Sequence, residues 1–212
     1  TPVYPPFYSV IKDHGRHVVK NPLQLNEEQY EIDFADFEKK IKENDVSMFI
    51  LCNPHNPVGR VWKKEELQKM MDICLKHDVK VVADEIHADL IYKGNVHVPI
   101  ASLSEEAAKQ TITCLSPTKT FNLAGLQASY VVIPDETDKK KVDRYFKNQG
   151  MLMLNTLGVT AMEAAYDHGE EWLIELMDVL ENHRDYVTQR FHNETSSRSE
   201  EHTSELQSPL DI

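Results

Sequence analysis

Three short polar clusters, each directly after an apolar run, carry the residues of this chain best suited to chemistry. Asn53-Pro54-His55-Asn56-Pro57-Val58-Gly59 follows Met48–Cys52, Asp84-Glu85-Ile86-His87 follows Val79–Ala83, and Ser116-Pro117-Thr118-Lys119-Thr120 follows Thr111–Leu115. The apolar runs read as strands, and an open parallel sheet binds its ligands beyond the carboxyl ends of its strands. The clusters are therefore expected to converge on one crevice, bringing together an amide (Asn56), a carboxylate (Asp84) and an amine (Lys119). Charged residues are seldom buried unless paired, so Asp84 and Lys119 abutting apolar strands need a physical reason. Each cluster alone also has a plainer reading. Asn-Pro-x-Asn-Pro-x-Gly is ordinary turn chemistry, an Asp after a strand commonly caps a helix, and a Lys at a strand end is usually solvated. What points to a site is the ordered set, one member at each successive strand end.

The segments between the clusters have the lengths and periods needed to position them. Lys63–His77 puts Leu67, Met70, Met71, Cys74 and Leu75 on one helical stripe. Ser104–Gln110 predicts a short helix, and Asp138–Asn148 predicts another with Val142, Tyr145 and Phe146 inward. A fourth strand is expected over Ala128–Ile133, ended by Pro134, and a further strand over Gly15–Pro22. Strands alternating with helices of this length predict right-handed crossovers and an α/β fold with a central, mainly parallel sheet flanked by helices. After Gly150 the strands stop. Leu157–Tyr166 is expected to be helical with Gly169 as its terminator. Glu170–Phe191 then predicts a long helix with Trp172, Leu173, Leu176, Val179, Leu180, His183 and Val187 on one stripe.

In these motifs the chain resembles the fold-type I pyridoxal-phosphate enzymes, the class I/II aminotransferase superfamily. Thr-Pro-Val-Tyr-Pro-Pro-Phe-Tyr from Thr1, Asn-Pro-His-Asn-Pro-Val-Gly-Arg-Val-Trp from Asn53, Ala-Asp-Glu-Ile-His-Ala-Asp-Leu from Ala83 and Lys-Thr-Phe-Asn-Leu-Ala-Gly-Leu-Gln from Lys119 are most similar to its cystathionine β-lyase (C–S lyase) subgroup. The resemblance runs from about Thr1 to Phe191 and covers the middle of such an enzyme. It implies that 1–150 is a pyridoxal-phosphate-binding large domain without its N-terminal part, and that 151–192 holds helices leading into an incomplete small domain.

The resemblance further implies pyridoxal 5'-phosphate (PLP) as cofactor and no metal. Lys119 matches the lysine that holds PLP as a Schiff base, whose amine must be unprotonated to attack an aldehyde. Asp84 matches the carboxylate that pairs with the pyridine nitrogen and lets the ring accept electrons. Asn56 matches the amide that donates to the ring 3-oxygen, and Tyr4 the aromatic that stacks on the ring. Ser116 matches a phosphate-binding hydroxyl, with Thr118 beside the lysine as another. His87 stands three residues after the aspartate, where the wider superfamily commonly has a tyrosine. Gln127 stands eight residues after the lysine, where an arginine often pairs with the phosphate. The family's glycine-containing phosphate turn would lie upstream of Thr1. Both substitutions fit the C–S lyases better than the aspartate aminotransferases.

The activity implied for a full-length parent is β-elimination from a small sulfur-containing amino acid. Lys119 would remove the Cα proton and a thiolate, a good leaving group, would depart, giving pyruvate and ammonia. His55 and His87 are candidates to protonate the leaving group, with a structural role as the alternative for each. Transamination shares every step up to the carbanion and is the second reading. A third, from another class, is that the 212 residues are a catalytically incompetent piece, since the family builds its site partly across a dimer.

Composition narrows the classes. With 23 Lys and Arg against 35 Asp and Glu the net charge is −12, which excludes a basic footprint for nucleic acid or an anionic membrane surface. Apolar runs such as Met48–Cys52 are far short of the roughly 20 residues of a membrane helix. Cys52, Cys74 and Cys114 are odd in number, lack a C-x-x-C spacing and sit among apolar residues, so buried free thiols in a reducing cytoplasm are expected, while the resemblance implies a homodimer for the parent. The chain starts at Thr1 and is expected to be an internal piece of a longer protein. From about Asn193 the composition turns to Ser, Glu, Thr and His without periodicity, and Arg198–Ser208 resembles the conceptual translation of a sequencing-library adapter. Residues 193–212 are accordingly expected to be a disordered, non-native tail.

Overall fold

A computed structural model describes residues 1–26, 29–151, 153 and 155–194. Its centre is a four-stranded sheet in the order β3 (Met48–Cys52), β4 (Lys80–Asp84), β5 (Thr111–Leu115), β6 (Tyr130–Val132). The first three strands are parallel, and β6 runs antiparallel to β5 with Leu115 opposite Tyr130. The sheet is thus mainly parallel, as expected, with its edge strand reversed. The reason is the content of the connection. Between Leu115 and Tyr130 the chain holds only α5 (Pro117–Thr120) and one 3₁₀ turn, Ala124–Leu126, too little for the helical crossover a parallel partner needs.

Real crossovers join the parallel strands. α3 (Lys64–Lys76) links β3 to β4 and buries Leu67, Met70, Met71 and Cys74, the i, i+3, i+4, i+7 set of one face. α4 (Glu105–Gln110) links β4 to β5 after the Ser104 hydroxyl caps its first turn by accepting from the Ala107 N–H at 3.1 Å. Ahead of the sheet lie α1 (Pro6–Asp13), the hairpin β1 (Leu23–Asn26) with β2 (Gln29–Ile32), and α2 (Phe34–Glu43), capped by Asp33. The core forms on one face of the sheet, where Leu51, Val81 and Ala83 join the α3 stripe with Phe37 and Ile41 of α2 and Ala107 of α4. Parallel register puts Cys52, Asp84 and Cys114 side by side on the other face.

Several expectations are corrected. Gly15–Pro22 is not a strand; the extended chain starts at Leu23, where β2 provides a ladder partner. The fourth strand shortens to Tyr130–Val132, and β4 includes Asp84, whose backbone carbonyl accepts from Asn53 N–H at 3.0 Å. In α6 (Glu136–Asn148) Val142 and Phe146 are half-buried, but Tyr145 is exposed. α7 (Thr156–His168) ends at Gly169 as anticipated, yet Gly169 has φ −87, not a left-handed cap. Its lack of a side chain matters for another reason: a Cβ there would lie 2.3 Å from the Ala165 carbonyl and 2.4 Å from the Phe121 ring. α8 (Glu170–Glu194) presents Leu173, Leu176, Met177, Leu180, Arg184 and Val187 inward, while Trp172, Val179 and His183 remain exposed. The buried stripe is therefore rotated from the purely apolar one, since the Arg184 and Met177 stems also cover apolar surface. Asn193 and Glu194 still belong to α8, so the boundary placed at Asn193 falls inside a helix, and 195–212 lie outside the described residues. Cys52 and Cys74 are buried free thiols, but Cys114 is only half-buried.

Candidate functional site

The Asn53–Gly59 turn is held from below by its own sequence neighbours. Asn53 is fully buried, and its side-chain oxygen accepts from the Trp62 backbone N–H at 3.2 Å. The Trp62 indole donates to the Cys52 carbonyl at 3.0 Å, so the residue after the turn is tied to the residue before it. His55 N–H donates to the Arg60 carbonyl at 2.8 Å, and Gly59, at φ +64, makes the reversal that an L side chain resists. Asn53–Pro54 and Asn56–Pro57 are both cis. Arg60 stacks 4.3 Å over the Trp62 ring, is paired with Glu66, and donates to the Tyr30 carbonyl of the hairpin. The result is a rigid platform on which Asn56, 7% exposed, closes the turn with its N–H on Cys52 Sγ at 3.4 Å.

Asp84 ends β4 with its carboxylate half-buried and accepting from Ile86 N–H at 3.3 Å. Burial raises its pKa above the ordinary carboxylate value, opposed first by that N–H; the neighbouring Glu85 adds to the rise, and the charge of Lys119 pulls the other way. Lys119 therefore acts on Asp84 through space, and among the described residues it makes no ion pair or side-chain hydrogen bond of its own. Glu85 points the opposite way into the core, accepting from Ile100 N–H at 3.1 Å and lying 3.2 Å from His97 Nε2.

Lys119 rides on α5, a helix of four residues capped by Ser116. The Ser116 hydroxyl donates to the Ala128 carbonyl at 2.7 Å and accepts both Thr118 N–H at 3.1 Å and the Thr118 hydroxyl at 2.6 Å. Both hydroxyl protons are thus committed within the cap. Thr120 is fully buried and donates to Asp89 Oδ2 at 2.9 Å. Gln127, at φ +49, occupies a left-handed position just before β6.

A cleft of about 400 Å³ opens beside these strand ends, between the Pro54–Val61 turn, the His87–Asn95 segment and α8. Asn56 and His87 line it together with Tyr92 and Arg184, whose guanidinium stacks 4.4 Å over the Tyr92 ring. Asp84, Lys119, Ser116, Thr118 and Tyr4 do not line it, so the cleft adjoins the acid and the amine without containing them. Tyr4 is 40% exposed with its ring edge-on to Phe7 at 5.7 Å. Asp84 thus lies within electrostatic reach of Lys119, Asn56 stands past the end of the neighbouring β3 and His87 three residues past Asp84, Ser116 and Thr118 form the cap of the helix that carries Lys119, and Tyr4 packs on Phe7. His55 packs edge-on to Trp62 at 5.6 Å, and burial lowers its imidazole to about 3, so it is a neutral packing ring. Tyr92 and Arg184 went unremarked in the sequence, while Glu85 and Asp89 stood inside quoted motifs without a role of their own.

The model of the family described as aminotransferase class I and II matches residues 1–204. The chain belongs to that family. Among individual class I and II proteins it is 49% identical to cystathionine beta-lyase PatB of Bacillus subtilis over 180 residues, 85% of this chain and 46% of that protein. Cystalysin from Treponema denticola, whose crystal structure contains pyridoxal 5'-phosphate, superposes with a TM-score of 0.88 at 38% identity, over 91% of this chain and 49% of cystalysin. A PLP-bound protein from Clostridium difficile that carries the name of an aminotransferase superposes at 0.89 with 51% identity, over 91% of this chain and 49% of its own. The chain spans about half the length of these class I and II relatives.

Proposed function

We propose that these residues form part of the PLP site of a carbon–sulfur β-lyase acting on a small sulfur-containing amino acid. The observation that carries the reading is the half-buried Asp84 carboxylate, raised by burial and under the charge of Lys119 on the next strand end. Among the described residues its side chain accepts only the Ile86 N–H, at 3.3 Å, which leaves carboxylate lone pairs for a cationic ring nitrogen. The donor set therefore fits PLP, with Asp84 for the ring nitrogen, Asn56 for the ring oxygen, Lys119 for the aldehyde and His87 beside them. PLP, when bound, supplies the electron sink that stabilises a carbanion at the substrate Cα. Tyr4 is assigned to the ring face, and Ser116 and Thr118 to the phosphate, for which their hydroxyls must turn out of the cap.

The roles of the side chains follow from their chemistry. Asp84 has to be ionised to hold a cation, and the positive charge brought to it offsets the cost of burying it. Lys119, released from other partners, is the base that takes the Cα proton. His55 is neutral and committed to Trp62, which leaves His87 as the imidazole able to serve the leaving group. Similarity to a cystathionine beta-lyase at 49% identity supports the lyase reading, and a thiolate needs little assistance to leave. A second reading, transamination, is favoured by 34% identity over 133 residues to the rat kynurenine–oxoglutarate transaminase 3.

The wider setting is proposed on the same basis: 1–150 as the cofactor-binding domain, 151–192 as helices leading into a small domain, a homodimer, and a cytoplasmic location. No helix among the described residues is long and apolar enough to cross a membrane, and none of their His, Cys, Asp and Glu side chains cluster to hold a metal. The deciding experiment incubates a polypeptide of the relatives' length carrying these residues with cystathionine and measures pyruvate without added keto acid. Pyruvate release is the expected result. Turnover only when a keto acid is supplied would replace the lyase by the transaminase.

A further inference from the structure

Lys119 Nζ has no bonding partner among the described residues, so the position of its amine is set by the backbone that carries it. That backbone is weak on its own account. α5 has four residues, a single turn closed by Phe121 N–H on the Pro117 carbonyl and Leu123 N–H on the Thr118 carbonyl, both at 2.9 Å. One turn of helix does not hold itself together in water. Thr120, adjacent to Lys119, is fully buried and sends its hydroxyl proton to Asp89 Oδ2 at 2.9 Å across 31 residues. Asp89 lies on the turn that begins at Asp84, closed by Ala88 N–H on the Glu85 carbonyl and Leu90 N–H on the His87 carbonyl, both at 3.0 Å.

We propose that Asp89 is a positioning residue for the cofactor lysine: by accepting from Thr120 it fixes α5, and so Lys119, relative to the strand end that carries Asp84. The inference rests on the proposed role of Lys119 and extends it to a pair that touches neither cofactor nor substrate. The clamp is separable from folding. The other side of the Asp84 turn is already anchored by buried Glu85 on Ile100 N–H and His97, and α5 keeps its Ser116 cap. Asp89 itself is exposed, so its loss opens no cavity. The charge of Asp89 also reaches Tyr166, whose hydroxyl is 3.3 Å from that of Tyr130, so charge and hydrogen bond need separate variants.

The test uses the full-length polypeptide with Asp89→Ala, Thr120→Val, their double variant, Asp89→Asn and Thr120→Ser. PLP is added, and capture by Lys119 is followed by visible absorbance and by borohydride trapping with peptide mass spectrometry. Exchange of the Phe121 and Leu123 amides is measured without PLP. Asp89→Ala and Thr120→Val should each slow capture about tenfold, as loss of one partly buried hydrogen bond would, and the double variant should be no slower than either. Asp89→Asn keeps an acceptor and Thr120→Ser a donor, and both should stay within about twofold of the parent. The two amides should exchange faster in the Ala and Val variants with unchanged global unfolding. Unchanged capture, additive losses, or conservative variants as slow as the deletions overturn the proposal. A parent that traps no PLP at Lys119 overturns the proposed function instead, and the amide exchange still decides whether the clamp holds α5.

Discussion

Arg60 is gripped by both carboxylate oxygens of Glu66, at 2.7 and 3.0 Å, while its guanidinium lies on the Trp62 ring. The same Glu66 accepts the Lys63 N–H at 2.8 Å, so one carboxylate starts α3 and fixes the turn that presents Asn56. Arg60 is 9% exposed, and a buried cation stripped of its partner is strongly destabilising. Glu66→Ala should cost about 3 kcal/mol of stability by denaturant titration. Arg60→Lys, which keeps the charge but loses the second nitrogen that reaches the Tyr30 carbonyl and the flat group that stacks on Trp62, should lose a large part of that.

Asp84 supplies a pH signature. Its pKa is raised in the folded chain, so the native state holds the proton more tightly than the unfolded one. Its contribution to stability is complete below the ordinary value of 3.8 and is lost as pH rises through the folded value. Asp84→Asn should therefore raise the melting temperature of the cofactor-free protein at pH 7, with the gain fading as pH falls toward 4. The same substitution should abolish lyase turnover, because a neutral amide cannot hold a ring nitrogen protonated. A stabilising effect equal at all pH values would show that Asp84 ionises no differently in the fold.

Lys119→Ala should remove the visible absorbance of the PLP-loaded full-length polypeptide, and borohydride should leave no adduct on the 117–121 peptide. An adduct on another lysine in the unmodified protein would move the site elsewhere.

The thiols make an independent check on the fold. Burial pushes Cys52 and Cys74 up to about 12 and Cys114 to about 11. A thiol reagent at pH 8 should leave the native protein nearly unlabelled, with Cys114 reacting before the other two, and should titrate all three after unfolding. Rapid labelling of Cys74 in the native state would show that α3 is not seated on the sheet.

Gly169 tests the junction of α7 and α8. With the Phe121 ring 2.4 Å from where a Cβ would sit, Gly169→Ala should cost about 2 kcal/mol by thermal or denaturant unfolding. Phe121→Leu in the same chain should recover part of the loss.

Local signals were enough to read the crossovers and the strand ends. Leu67, Met70, Met71 and Cys74 repeat with the helical period, Met48–Cys52 and Thr111–Leu115 are runs with polar stops, and each stop carries one of Asn56, Asp84 and Lys119. Those features depend on residues within a turn or two of one another, so the chain alone determined them. Partners far apart in sequence decided the rest. β6 reversed because its connection carries no full crossover helix, Tyr145 stayed exposed although it shares the helical period of Val142, and the α8 stripe turned to place Arg184 on Tyr92. Glu85 sank into the core and Asp84 did not, although they are adjacent acids, because Ile100 N–H and His97 meet one and the Lys119 end of the sheet faces the other. A carboxylate is stable in the interior only where donors arrive to meet it, and the arrival of donors from elsewhere in the chain is settled by packing.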